Sequence, residues 1–439
     1  MLLESKYNTI VMDEGEMILY NSFSGSIVKF GKEYQTEVYD ILNGNDKYRY
    51  DSEVVKYLYD NKFISHSHED QKNQVEVMRL EKIVNNNLHI IIMPTEQCNF
   101  RCSYCYESFI GKKMNEDTQN GIIEFIRRNV HYYRGLHISW YGGEPLLALD
   151  VIKNISEKAK QICKNSRRTF TTSITTNGFL LTLETFKKLQ KYNLVNVQIT
   201  LDGLMKTHDQ QRKLANGEPT FTTILENLLE IKNNIKSAIQ RIIIRTNVTK
   251  EIYDQFDEYL KYYGSIFNSD SRFTFLIRPA GDWGGEAVKE ISSELMDYNE
   301  FNHVYQKIIN SKYKINVQFF EDFLQPTGSV CSAGLKNQFL IRSDGRVNKC
   351  TCILDDDENQ IGYLQDNGVM ILDDDKYCNW ISYEQRQECH ECYLYGACLG
   401  SGCPVRVKNK KLPRACGFEK MYIKDTLIML NRCGHVKAY

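Results

Sequence analysis

The sequence predicts an α/β chain: a partial (β/α)6, TIM-like barrel, preceded by a small α+β unit and followed by a cysteine-rich region. Three observations predict it. Short apolar runs alternate with amphipathic stretches between about residues 83 and 320, the signature of βαβ units on a parallel sheet. Residues 1–82 follow a different pattern, of strand, turn, strand and helix. The fourteen cysteines are uneven: none precede Cys98, and ten lie between Cys331 and Cys433. The 439 residues therefore divide into units of 1–82, 83–320 and 321–439, in keeping with roughly 100–200 residues per domain.

In the first unit, Met17–Tyr20 and Ser26–Phe30 read as strands around the turn Asn21-Ser22-Phe23-Ser24-Gly25. A helix follows over Lys32–Leu42, stopped by Asn43-Gly44, then a shorter one over Ser52–Tyr59. Gln71–Asn87 reads as a linking helix. In the second unit the strands expected are His89–Met93, His137–Tyr141, Thr169–Thr175, Asn196–Leu201, Arg241–Val248 and Phe273–Arg278. Helical patterns separate them, among them Asp117–Val130, Leu183–Tyr192, Phe221–Ile235 and Ile252–Tyr263. Such an array places function at the C-terminal ends of its strands. In the third unit, Phe339–Ile341 and Arg346-Val347 form a hairpin around Asp344-Gly345. The remainder lacks a long apolar period, so bound metal is expected to organise it.

Lys plus Arg is 55 and Asp plus Glu is 56, which argues against a general nucleic-acid binder. No apolar run approaches the roughly 18 residues of a membrane span. The opening Met1-Leu2-Leu3-Glu4 places an acid where a signal peptide continues its apolar stretch, so a cytoplasmic protein is expected. In a reducing compartment, clustered cysteines mean metal or redox chemistry rather than disulfides.

Cys98, Cys102 and Cys105 form a C-x3-C-x2-C triplet directly after the first barrel strand. Three thiolates on one loop suit three irons of a cubane cluster, leaving the fourth iron for another ligand. A structural zinc site wants four ligands, and no fourth Cys or His lies nearby. Gly142-Gly143-Glu144-Pro145 ends the second strand: the glycines admit close approach, and Glu144 offers a carboxylate to an ammonium group. Without the triplet, the same four residues read as a turn with a helix-initiating proline.

With these motifs the sequence resembles the radical S-adenosylmethionine (SAM) superfamily. The resemblance implies a [4Fe–4S] cluster on Cys98, Cys102 and Cys105, with SAM on the unique iron and a 5′-deoxyadenosyl radical as the product of its reductive cleavage. It implies an external electron donor such as flavodoxin or ferredoxin. Tyr104 matches the aromatic that lies against adenine, and Gly142, Gly143 and Glu144 match the amino-group site. Asn177 in Thr175-Thr176-Asn177-Gly178, Thr200 before Leu201-Asp202-Gly203, and Arg212 fall at further SAM-contacting positions; read alone, they are a turn, a strand end and a surface charge. Asp202 is expected to orient its loop, His208 has no catalytic role, and Cys163 and Cys433 are plain small residues.

The later cysteines resemble the SPASM extension of radical SAM peptide and protein maturases. Cys389, Cys392, Cys398 and Cys416 match a distal auxiliary [4Fe–4S] cluster; Cys331, Cys350 and Cys403 match a proximal one, making three clusters in all. Cys352 and Cys378 are both candidates for the fourth proximal ligand, and an open site is the third option. Four residues separate Cys398 from Cys403 where the family has three. The first unit resembles the RiPP recognition element, a winged-helix-like module that adds a leader peptide to a free sheet edge; a packing extension capping the barrel is the alternative.

The function expected is a peptide maturase that oxidatively cross-links a ribosomally made precursor, by a Cys thioether in the first instance. The partner is that precursor, held through its leader, with neither nucleic acid nor membrane involved. The alternatives are an anaerobic sulfatase-maturating enzyme forming formylglycine and, from another class, a non-catalytic zinc-binding interaction protein.

Overall fold

A computed structural model describes residues 2–45, 52–109, 111–236, 239–382, 385–400, 403–405, 416 and 418–439. The first unit opens with β1 (Leu3–Glu4), then the meander β2 (Asn8–Asp13), β3 (Glu16–Asn21) and β4 (Ile27–Phe30). Helices α1 (Lys32–Leu42) and α2 (Glu53–Asp60) follow, then β5 (Ile64–Ser65), which pairs with β1, and α3 (His68–Val84). Both faces of β3 are buried and alternate strictly. Met17 and Leu19 pack with Val38, Leu42 and Leu58 in a core of this unit, while Ile18 and Tyr20 join the main core. Period-two alternation thus fastens the unit to the body.

The body is one ten-stranded sheet. Its parallel strands are β6 (Asn87–Ile92), β8 (Gly135–Trp140), β9 (Thr169–Thr176), β10 (Leu194–Thr200), β12 (Arg241–Val248) and β13 (Phe273–Pro279), in sequential spatial order. This is the predicted (β/α)6 order, and the six strand runs lie where the sequence places them. Two short strands outside the sheet, β7 (Phe100–Cys102) and β11 (Arg212–Leu214), pair with each other. Helices α4 (Glu116–Asn129), α5 (Leu149–Asn165), α6 (Leu183–Gln190), α7 (Met205–Gln211) and α8 (Phe221–Asn234) fill the crossovers between β6 and β12. The stretch expected as one helix over Ile252–Tyr263 is two, α9 (Lys250–Asp254) and α10 (Phe256–Phe267). Apolar residues such as Ile90, Ile138, Ile199 and Ile244 carry the core toward the helices. The alternate face is polar: His89 bonds Ser139 at 2.8 Å, and His137 bonds Thr171 at 2.8 Å and Ser173 at 3.0 Å.

The predicted hairpin is present as β14 (Gln338–Ile341) and β15 (Arg346–Asn348), but it is no separate layer. β14 pairs parallel with β6, and β16 (Gln360–Leu364) and β17 (Met370–Leu372) continue the sheet. The hydrogen-bonded ladder therefore crosses residue 320. A helix at Ile423–Arg432 returns to the first unit, where Arg432 pairs with buried Asp13 at 2.6 Å, and β18 (Lys437–Ala438) lies parallel along β4. That edge of the first sheet is thus not free, as a strand-adding module requires; the chain's own strand covers it.

The linking helix is corrected to His68–Val84, capped by Ser67 and ending before Asn87, which begins β6. The strand β2 had no sequence expectation. Among the described residues, no helix is long and apolar enough to cross a membrane.

Candidate functional site

The triplet loop leaves the C-terminal end of β6 and is held from three sides. First, β7 pairs antiparallel with β11, setting Cys102 opposite Arg212. Second, Glu144 N–H donates to Gln97 O at 2.9 Å, joining this loop to the glycine loop after β8. Third, Arg342 beyond β14 reaches back to Glu96 with contacts of 2.5 and 3.1 Å, and to Asp355 at 2.9 Å. Arg342 and Glu96 are both buried.

The glycines are steric requirements. Gly142 has φ +119°, and a Cβ there meets Thr95 O at 2.4 Å; a Cβ on Gly143 meets Gln97 O at 2.4 Å. Glu144 is fully buried. Its carboxylate accepts from Leu146 N at 3.0 Å, Thr176 Oγ1 at 2.7 Å and Asn177 N at 2.7 Å. It therefore ties the β8 loop to the end of β9, and burial still raises its pKa despite those donors. Asn177 in turn donates to Asn99 Oδ1 at 2.8 Å and stands 3.9 Å from Cys98 Sγ.

The Tyr104 hydroxyl donates to Asp202, and accepts from Arg212 Nη1 at 2.5 Å and Asn247 Nδ2 at 3.2 Å. Asp202 also accepts Asn247 N–H at 2.7 Å. Arg212 and Asp202, both buried, stand 3.8 Å apart. Tyr104, Asp202, Arg212 and Asn247 thus close the ends of β10 and β12 over the cluster loop. Thr200 ends β10, buried opposite Arg245. His208 is buried beneath, accepting Asp202 N–H at 3.1 Å. Sequence reasoning missed Asn247, Glu96, Arg342 and the pair Tyr106–Tyr141, whose hydroxyls meet at 2.5 Å. The available signal was a polar residue at the end of an apolar run, as in Arg245-Thr246-Asn247.

Burial, then the facing Glu144, Cys102 and Cys105, push the Cys98 thiol up to about 12. Burial and Cys102 do the same to Cys105. Three such thiols become thiolates together only with a cationic partner, which a metal centre is. Around them Ser103 Oγ, Arg212 Nε and Glu107 Oε2 are buried without a protein partner. Burial and Glu96 raise Glu107 to about 8. This donor set, with unspent polar atoms beside it, fits a cluster and a polar ligand. Among the described residues no three His, Cys, Asp or Glu side chains meet as closely as a single ion requires; the thiolates of a cubane each take a different iron.

The later cysteines fall into two groups. Cys389 faces Cys416 and Cys392; Cys398 faces Cys392 and Cys389; Lys420 hydrogen-bonds Cys392 and faces Cys416 and Cys398. Cys331 faces Cys403 and Cys352, and Cys350 Sγ accepts Cys352 N–H at 3.3 Å. Burial raises Cys331 and Cys398 to about 11. Cys378 is exposed on the helix Asp374–Ile381 beside Tyr377, so of the two alternatives it is Cys352 that faces Cys331 and neighbours Cys350. The extra residue between Cys398 and Cys403 falls in a segment whose positions 401 and 402 lie outside the described residues. Cys163 is buried in α5 and Cys433 half-buried at a helix end.

Residues 92–262 match the Radical SAM superfamily. The chain carries a radical SAM domain. It is similar to the cysteine-type anaerobic sulfatase-maturating enzyme of Clostridium perfringens, 24% identical over 345 residues, covering 72% of this chain and 88% of that enzyme. It is likewise similar to a structure titled Native anSMEcpe with bound AdoMet, at TM-score 0.57 and 19% identity, covering 78% of this chain and 97% of that one. Streptococcus suis SuiB bound to precursor peptide SuiA superposes at TM-score 0.51 and 16% identity, over 93% of this chain and 97% of that one. These likenesses show a radical SAM fold, and the chain is a radical SAM enzyme. Such a domain works with a [4Fe–4S] cluster and SAM.

Proposed function

We propose that this enzyme matures a ribosomally made peptide by oxidative cross-linking, with a Cys thioether as the first product to test. The observation that carries the reading is a strand-and-helix unit, residues 1–82, docked on a radical SAM sheet that also bears the two later cysteine groups. The SuiB superposition leaves fewer residues unmatched than that unit contains.

Cys98, Cys102 and Cys105 would hold the radical SAM cluster. Gly142, Gly143 and Glu144 shape the amino-group site, Tyr104 lines the adenine side, and Asn177, Thr200 and Arg212 lie toward SAM. Cys389, Cys392, Cys398 and Cys416 would hold one auxiliary cluster, and Cys331, Cys350 and Cys403 the other, with Cys352 the best-placed fourth thiolate. When bound, the cluster and SAM supply reductive cleavage to a 5′-deoxyadenosyl radical that abstracts hydrogen. The chain's part is positional. Glu144, Asn177 and the Tyr104–Asp202–Asn247 network fix five loops before any ligand arrives, which is preorganisation.

The test is the intact mass of the peptide encoded beside the gene, after anaerobic incubation with reconstituted enzyme, SAM and reductant. Loss of two hydrogens with no alkylatable Cys remaining is expected. Loss of two hydrogens with thiols intact would replace the thioether by a carbon-based link. An unchanged peptide with SAM cleaved would sink the reading. The second reading is sulfatase maturation, favoured by the Clostridium perfringens similarity; formylglycine in a sulfatase peptide under the same conditions would establish it.

A further inference from the structure

The first sheet, in order β18-β4-β3-β2, has two edges, and they are closed in different ways. At β2 the helix Ile423–Arg432 packs against the strand, and Asp13 takes Asn431 Nδ2 at 2.9 Å and Arg432 Nη2 at 2.6 Å. That closure is a helix with a buried ion pair. At β4 the closure is two residues of strand: Lys437 stands opposite Val28 and Ala438 opposite Lys29, both exposed. Tyr439 N–H donates to Lys29 O at 3.0 Å. Its ring plugs a pocket made by Phe30 of β4, Tyr34 of α1 and Tyr57 of α2, at centroid distances of 5.1, 4.9 and 4.8 Å. Val436 is buried in the main core, so the three residues after it can peel from β4 without moving the helix.

A strand laid on an edge with one aromatic side chain in a pocket is how a sheet recognises a foreign peptide: main-chain bonds give affinity and the pocket gives selection. Here the occupant is the chain itself, and it shows what the site accepts. Glu37 and Glu53 face the Tyr439 phenol, so an acidic anchor is disfavoured.

We propose that β4 with the Phe30–Tyr34–Tyr57 pocket is a strand-addition site for the precursor's leader, anchored by an aromatic residue, and that Lys437–Tyr439 occupies it until the leader displaces it. This rests on the peptide-maturase reading. Binding then carries the cost of displacement, because only the fraction of molecules with the strand released can accept the leader.

Two fluorescent probes test it by anisotropy: a hexapeptide of the sequence Gly434–Tyr439, and the precursor encoded beside the gene. They are titrated into the full chain, a variant lacking Lys437–Tyr439, and the full-length Tyr439→Ala variant. The hexapeptide should bind the shortened chain about ten-fold tighter than the full chain, and lose binding when its tyrosine is alanine or when Tyr34→Ala is added to the protein. The precursor should compete with it and bind Tyr439→Ala about ten-fold tighter than the full chain. If the precursor binds all three proteins equally without displacing the hexapeptide, the leader docks elsewhere; the inference falls while the maturase reading stands. If the hexapeptide binds but the precursor binds nothing, the leader reading falls and takes the inference with it. A shortened chain that is folded by circular dichroism yet ignores the hexapeptide overturns the pocket.

Discussion

Around Cys98–Cys105, five strand-end loops are bonded to one another by buried side chains. Glu144 spans β8 and β9, Asn177 reaches the triplet loop, and Asp202 with Asn247 spans β10 and β12. Around Cys389–Cys416 the elements are single turns, Gln387–His390, Tyr395–Cys398 and Phe418–Met421, joined by loops. The first region is held by the protein, whereas the second has sulfurs facing one another with little ladder beneath them. The comparison teaches which site survives without its metal. A preorganised loop keeps its shape, whereas folding and metal binding are one event where the ligands are the main cross-links.

The largest expected effect is functional. Cys98→Ala should take 5′-deoxyadenosine formation below detection in anaerobic assays, with a folded protein remaining; turnover at the wild-type rate would refute the cluster assignment. Next, Arg342→Met should cost about 3–5 kcal/mol in urea unfolding, because it leaves Glu96 as a buried unpaired charge beneath the triplet loop. A cost under about 1 kcal/mol would show that the fastener between the two regions matters little. Stripping iron under denaturant-free conditions should then separate the regions. Hydrogen exchange at residues 385–400 should rise well before exchange at 135–144, and equal protection would erase the distinction.

A smaller effect comes from His89 and His137, which burial lowers to about 3 and 4. Their unfolded value is 6.5, so the unfolded chain binds more protons between about pH 6.5 and 4. Stability is present above that window and is lost as pH falls through it. Tm should drop several degrees between about pH 6.5 and 5, and less in His137→Gln. The smallest contrast is Cys378→Ala against Cys352→Ala: the first should leave iron content unchanged, and the second should lower it.

The six barrel strands were legible because buried parallel strands are continuous apolar runs, such as Ile90-Ile91-Ile92 and Ile242-Ile243-Ile244. The glycine loop was legible because Gly142 and Gly143 are demanded by a backbone approach that spacing reveals. The hairpin around Asp344-Gly345 was legible too, yet not its partner: β6 lies about 250 residues earlier, and no local pattern encodes that pairing. The same holds for Glu96 with Arg342 and for Tyr104 with Asn247, each a single polar side chain whose meaning is set by a distant loop. In the first unit β2 was missed because Asn8-Thr9 and Asp13 dilute its three apolar residues, and the closing strand because two residues carry no periodicity.

The placement of β18 has a consequence for synthesis. The first unit leaves the ribosome early, but its outer strand, and Arg432 as the partner of buried Asp13, are made hundreds of residues later. Until residue 437 has been translated, the nascent unit shows a bare edge and an empty aromatic slot, the kind of surface that chaperones hold and that neighbouring polysome chains can pair with.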